Sequence, residues 1–214
     1  MDEHFLMVVA LMLPALGVAV VSYLLGCCNS ALILSKYILH DDVRQHGSGN
    51  AGLTNFYRTF GKKMVIWVIL GDLAKAVLSC ALGGAVFGAL YNQVVIGKLV
   101  GAIFCVLGHS FPCMFHFKGG KGVLCGAGVI LSMDWRIALV CLGVFVVLVA
   151  ITRWVSLGSM VSAALFPVMC GILYQDVTVV VLACIAAVLI VVRHKDNAKR
   201  IAKGEENRFE LKKE

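Results

Sequence analysis

Charge is scarce in this sequence. Of its 214 residues only 14% are Asp, Glu, Lys or Arg, whereas 60% are hydrophobic. That balance excludes an ordinary soluble domain, in which about a quarter of residues are charged. The apolar runs are continuous rather than alternating, which excludes an outer-membrane barrel. No linker, internal repeat or low-complexity tract divides the chain, so residues 1–214 are expected to form one membrane domain with almost no extramembrane mass. The nine cysteines show no paired CxxC spacing, and most lie inside apolar runs. They are expected to be small buried hydrophobes rather than metal ligands, and no metal is expected. Three catalytic signatures are also missing: His-x-x-x-x-Asp, Gly-x-Ser-x-Gly and His-Glu-x-x-His. Polar residues at mid-membrane, which a transporter needs for its substrate, are nearly absent. The first apolar run has no basic n-region, since Asp2 and Glu3 precede it, so it is expected to be a retained span.

Several runs approach or exceed the ~20 residues that cross a bilayer core. Span one starts near Phe5 and ends about Cys28, or continues to Leu39. Span two covers roughly Lys62 to Leu90, and span three Val94 to Ser110. The run from Gly122 to Ile151 is long for one helix and holds Asp134 and Arg136, which cost several kcal/mol at mid-membrane. It is therefore divided into span four (122–131) and span five (137–151). Span six runs from about Leu157 to Tyr174 and span seven from Val177 to Val192. With seven spans, sixteen of the nineteen Lys and Arg residues fall on one side. The positive-inside rule makes that side cytoplasmic, with the N-terminus outside and the C-terminus inside. Leaving 122–151 unbroken would send the basic tail to the other side. The net charge of +7 thus reads as cytoplasmic loops at a lipid surface, and no nucleic acid partner is expected.

The polar stretches of that face carry the candidate chemistry. Phe117-Lys118-Gly119-Gly120-Lys121-Gly122 combines two cations with three glycines. Glycine lets backbone N–H groups approach a ligand, and a following helix aims its N-terminus at the same place, so the natural ligand is a phosphate. It is not a Walker A loop, because the earlier Gly, the following Ser or Thr and the preceding strand are all missing. Gly47-Ser48-Gly49-Asn50-Ala51-Gly52-Leu53-Thr54-Asn55 is dense in turn residues and forms a candidate anion nest, with Arg58 placed to clamp a phosphate. Ser156 follows Arg153 in a tight turn, where it is a helix cap or a ligand contact. In the tail, His194 and Asn197 are i, i+3 neighbours on one helical face. His109 stands at a span end, either as an interfacial side chain or in a direct role. Asp72 and Lys75, also i, i+3, are expected to be a structural ion pair.

Together these residues form an ordered set. It comprises Gly47-Ser48-Gly49-Asn50-x-Gly52-x-Thr54-Asn55, Gly108-His109-x-Phe111-Pro112 with Phe117-Lys118-Gly119-Gly120-Lys121-Gly122, Arg153-x-Val155-Ser156, and His194-x-x-Asn197-x-x-Arg200-x-x-x-Gly204-x-Glu206. Over the whole chain it resembles the bacterial acyl-phosphate:glycerol-3-phosphate acyltransferase family (PlsY type). The resemblance implies an all-α integral membrane protein of seven transmembrane helices in the bacterial plasma membrane, with its active site at the cytoplasmic face. It implies transfer of an acyl group from acyl-phosphate to the 1-hydroxyl of glycerol 3-phosphate, without cofactor. It assigns Ser48, Arg58, Lys118, His194 and Asn197 to catalysis. Gly49, Asn50, Gly52, Thr54, Asn55, Gly119, Gly120, Lys121 and Ser156 fall to substrate binding, and Glu206 to structure. Arg58, Lys118 and Ser156 are expected to hold glycerol 3-phosphate, and the chain to act as a monomer. A small anion or lipid transporter is the alternative, and a membrane scaffold would leave the clustered nests unexplained.

Overall fold

The computed structural model describes residues 3–209, with side chains from Met12 onward. The described residues are helical, without a strand. Helix α1 spans Glu3–Cys27, and after a break at Cys28 and Asn29 the chain continues as α2 (Ser30–Ile33) and a π-turn at Leu34–Ile38. The Asn29 side chain makes the break: its Oδ1 accepts the Leu32 N–H at 3.0 Å while its Nδ2 donates to the Ala51 carbonyl at 3.1 Å. Span one, expected to end about Cys28 or to continue to Leu39, is thus broken at Cys28 and Asn29 into two helices bent by 40°.

A short amphipathic helix, α3 (Leu53–Phe60), leads to α4 (Val65–Tyr91), α5 (Val94–Ser110), α6 (Val123–Met133), α7 (Trp135–Thr152), α8 (Val155–Tyr174), α9 (Val177–Val192) and α10 (Lys195–Ala202). The expected break between spans four and five falls at Asp134, whose carboxylate accepts the Arg136 N–H at 2.8 Å and caps α7. Asp176 caps α9 in the same way. Among the described residues, four helices are long and apolar enough to cross a membrane, or six if each bent pair counts as one span; Val123–Met133 is shorter.

Helix α5 packs against α1, α4, α6 and α9. Its small residues allow this. A Cβ on Gly101 would stand 2.1 Å from the Ser79 carbonyl, and one on Gly108 2.1 Å from that of Tyr23. Such backbone contact replaces the hydrophobic drive that lipid does not supply. The core holds Ala76, Leu99, Cys105, Val129, Ile137, Phe166 and Ala183, all buried, while Trp67, Leu78, Leu139, Val147 and Ile172 face outward as lipid demands. Six cysteines are buried, but Cys28, Cys113 and Cys184 are exposed, at the α1–α2 break, in the turn after α5 and on the outer face of α9.

The expected Asp72–Lys75 ion pair forms, at 2.8 Å, with both side chains almost fully buried. Lys75 Nζ also donates to the Gly26 and Cys28 carbonyls at 3.1 and 3.0 Å and to His109 Nδ1 at 2.9 Å. Asp72 Oδ1 accepts from Ser30 Oγ at 3.0 Å. A buried pair of this kind holds only if its remaining valences are met. Here they are met by the carbonyls freed at the α1–α2 break, so the cluster ties that break to α4 and α5.

Candidate active site

The first polar loop is organised by Arg44 and Asn55. Arg44 grips Asp42 with two nitrogens (3.0 and 2.7 Å), and its Nη1 donates to the carbonyls of Phe115 and Lys118, both at 3.0 Å. The guanidinium holds the Asp42 carboxyl down to about 2. Arg44 thus joins this loop to the central one, a role that no sequence motif signalled. Asn55 Oδ1 accepts the Ser48 N–H at 3.0 Å, and its Nδ2 donates to the Val43 and His46 carbonyls. All its bonds are local, so Asn55 shapes the loop around Gly47 and Gly49, whose φ values of 55° and 68° require glycine.

The central loop departs from expectation in one respect. The N–H groups of Gly119 and Gly120 are already bonded to the Ser110 and His109 carbonyls, both at 3.1 Å, and face no ligand. Their carbonyls accept from Arg193, whose guanidinium also lies 5.0 Å from the Phe111 ring centre. These glycines are needed for contact instead. A Cβ on Gly119 would stand 2.1 Å from the His109 carbonyl, and one on Gly120 2.2 Å from His109 Nε2. Of the flanking lysines, Lys118 lines the outer of the cavities described next and Lys121 lines both the outer and the inner one.

Three neighbouring spaces result. An outer cavity of about 830 Å³ is lined by Arg44, Gly49, Lys118, Gly119, Arg193 and Lys195. It shares Ser48, Asn50, Lys121, Asn197 and Arg200 with an inner pocket of about 230 Å³, which Gly52, Thr54, Arg58, Ser156, His194 and Glu206 complete. The inner pocket shares Val123, Leu124, Phe145 and Ser159 with an apolar cavity of about 220 Å³ within the bundle. Arg58, Lys118 and Ser156, expected on one phosphate, are thus divided between the outer and inner spaces. His109 and Asp72 line the inner pocket from below.

Around the inner pocket the polar side chains are interlocked. Lys121 Nζ donates to Asn197 Oδ1, and Asn197 Nδ2 donates to Glu206 Oε1 at 2.6 Å. Ser156 Oγ donates to the same oxygen at 2.7 Å, and Arg200 Nε to Glu206 Oε2 at 2.8 Å. Burial pushes the Glu206 carboxyl up, yet the donors from Asn197, Ser156 and Arg200 outweigh it and leave the group below its usual value. Burial, reinforced by Arg200, lowers Lys121 to about 8. Burial, reinforced by Lys121, lowers His194 to about 4, so its imidazole is neutral at pH 7. His194 Nδ1 lies 2.8 Å from the Ile190 carbonyl, an acceptor only. The proton therefore sits on Nδ1, and Nε2 keeps a lone pair. Beyond Glu206 the chain folds back: Arg58 Nη2 donates to the carbonyls of Asn207 and Arg208, at 3.5 and 3.2 Å, and the Phe209 N–H to that of Arg153, at 2.7 Å. Arg44, Arg193 and Arg200 are the residues that the predicted site lacked. Arg200 stands in the ordered set without an assigned role, and for Arg44 and Arg193 the signal is only the density of Arg in these loops.

A helical membrane protein with a cationic pocket beside an apolar cavity offers charge to a phosphate and an apolar wall to hydrocarbon. Residues 16–204 match the family described as Glycerol-3-phosphate acyltransferase, and the chain belongs to that family. It is 36% identical over 197 residues to the glycerol-3-phosphate acyltransferase of Clostridioides difficile, covering 92% of this chain and 96% of that one. To the Thermoanaerobacter pseudethanolicus protein of the same name it is 33% identical over 196 residues, with the same coverage. Among solved structures it is similar to PlsY (YgiH), an integral membrane glycerol 3-phosphate acyltransferase, in its glycerol 3-phosphate form. The TM-score is 0.82 at 30% identity, covering 92% of this chain and 96% of that one. The lysophosphatidic acid form of PlsY gives a TM-score of 0.79 at the same identity and coverage.

Proposed function

We propose that this protein transfers a fatty acyl group from acyl-phosphate to the 1-hydroxyl of sn-glycerol 3-phosphate, giving lysophosphatidic acid and inorganic phosphate. The observation that carries the reading is the adjacency of the three spaces, each of which shares lining residues with the next. An acyl-phosphate fits with its chain in the apolar cavity and its head in the inner pocket, and the outer cavity admits a second, water-soluble phosphate. Four cations from three segments (Arg58, Lys118 with Lys121, and Arg200) face the two polar spaces. The resemblance supplies the donor class and the positions of Ser48, Thr54, Ser156 and Asn197 as phosphate or hydroxyl contacts.

In the reaction the hydroxyl oxygen attacks the carbonyl carbon, the C–O bond to phosphate breaks, and the phosphate leaves with the electron pair. Lys121 and Arg58 offset the charge that gathers on it. His194 Nε2 accepts the hydroxyl hydrogen and orients the oxygen. An imidazole held near 4 is a weak base, so as the new C–O bond forms the hydrogen turns from Nε2 to a phosphate oxygen of the substrate, which takes the proton. The phosphate-handling face is cytoplasmic: we read seven spans with the N-terminus outside, because sixteen of the nineteen Lys and Arg residues lie on the site's side. The host membrane is then the bacterial plasma membrane.

The test is direct. Purified protein in mild detergent receives palmitoyl phosphate and glycerol 3-phosphate, and phosphate release is followed. Release that needs both substrates, yields lysophosphatidic acid and falls in Lys118→Ala supports the assignment. No release from folded protein with any acyl phosphate refutes it, and phosphate uptake by reconstituted vesicles would then favour a transporter.

A further inference from the structure

The apolar cavity has a defined end. On each of four helices its lining stops at one residue: Ile130 on α6, Leu142 on α7, Phe166 on α8 and Ala186 on α9. One turn deeper, Ile137, Cys170 and Ala183 are without solvent exposure and do not line it. Of the four end residues Phe166 has the largest side chain, is 4% exposed, and belongs to the packed core beneath. Ala163 lines the wall one turn nearer the inner pocket.

We propose that Phe166 is the floor of the acyl site and sets the length of chain that the enzyme encloses. This rests on the acyl-transfer reading above. The depth follows from the helix. Phe166 is ten residues from Ser156, so it lies about 15 Å below the inner pocket at a rise of ~1.5 Å per residue. Carbon–carbon bonds of ~1.5 Å opened to ~111° advance an extended chain about 1.25 Å per carbon. A chain starting level with Ser156 therefore meets the ring at about its twelfth carbon. The apolar cavity itself begins lower, at Ser159. Seven residues separate Ser159, at its top, from Phe166, which is about 10 Å, or eight carbons, by the same rises.

Each methylene enclosed above the floor exchanges loose detergent or lipid contacts for a fitted wall, so the gain is one of packing and kcat/KM should rise with each carbon. Past the floor a chain has to bend back or leave sideways into lipid, and the gain stops. The measurement offers acyl phosphates from C8 to C18 as equimolar pairs, so that both donors meet the same detergent, and reads the product ratio. In the wild type the ratio should rise with length and break near about C12. Phe166→Ala should move the break to longer chains by roughly two to four carbons. Ala163→Phe, one turn higher, should move it to shorter chains by about four. KM for glycerol 3-phosphate should stay within twofold in both. Phe166→Leu, with a smaller shift in the same direction, guards against a variant that merely unfolds. Breaks that coincide in wild type and all variants would overturn the floor while leaving acyl transfer intact, as would a wild-type ratio that climbs steadily to C18. Absence of transfer from every donor by folded wild type would overturn acyl transfer itself, and the floor with it.

Discussion

Removing the Glu206 carboxylate is the perturbation with the clearest arithmetic. The group accepts from Ser156, Asn197 and Arg200, and Ser156 and Asn197 are each only 6% exposed. Hydrogen bonds to a charged partner contribute about 1.5–3 kcal/mol each, and a buried donor left without an acceptor costs about 1–3 kcal/mol. The Arg200 bond is nearer the surface and counts for less, about 1 kcal/mol or below. Water can reach part of the vacated space, so Glu206→Ala is expected to cost about 3 kcal/mol rather than the sum. Glu206→Gln keeps one acceptor oxygen and loses the charge, for about half that. For a chain of this size 1 kcal/mol corresponds to about 2–4 °C in Tm, so the alanine variant should melt about 6–12 °C lower. The buried cysteines provide the assay. Six of nine are inaccessible in the fold, and a thiol-reactive fluorophore added during a temperature ramp reports their exposure. A Tm within ~2 °C of wild type for Glu206→Ala, with KM unchanged, would refute the view that this carboxylate holds α8 and α10 together.

The other expectations are briefer. Lys121, lowered to about 8, is charged below that pH and loses its charge above it, so KM for glycerol 3-phosphate should climb as pH rises past 8. Lys121→Arg should flatten that limb, because arginine stays protonated; an unchanged limb assigns it to another group. Arg58→Ala should raise KM for acyl-phosphate about tenfold or more, and Arg58→Lys should recover little of it, since the planar fork is lost; steady-state kinetics decides. Asp72→Asn strands the buried Lys75 ammonium and should destabilise the bundle by about 3–5 kcal/mol, while Asp72→Leu combined with Lys75→Met should regain most of that. Thermal ramps on the three proteins check it.

The helical bundle was largely legible because lipid enforces a simple rule: apolar runs of sufficient length are helices, and an aspartate between two of them caps the second. Asp134 and Asp176 both do so. Asn29 was missed because its break depends on a partner twenty-two residues away, the Ala51 carbonyl. Helix α3 was read as turn, since Gly, Asn and Thr dominate 47–55. Yet Leu53, Phe56, Tyr57 and Phe60 recur at helical spacing, and that signal was present. The site residues were recognisable as a set, but their partition was not. Nothing in Lys118-Gly119-Gly120-Lys121 tells that Lys121 reaches both polar spaces while Lys118 lines only the outer one, because that depends on how closely the loop backs onto His109. The fold-back of the tail was invisible for the same reason. Charge pattern marks 193–209 as basic, and only three-dimensional contact shows Glu206 among cations.

That fold-back has a consequence for how such chains can vary. From Asn197 to Phe209, successive residues are keyed to fixed partners: Asn197 to Lys121, Glu206 to Ser156, the Asn207 and Arg208 carbonyls to Arg58, and the Phe209 N–H to Arg153. One inserted or deleted residue between Ala202 and Glu206 would slide the whole row out of step, however mild the residue itself. Length there should be held more tightly across lineages than side-chain identity at Lys203 or Glu205, which are exposed. The turn at Asn92 and Gln93 has no such row of partners and should accumulate insertions freely. A segment that composition marks as a loose basic tail is, in its tolerance of change, as exacting as a helix of the core.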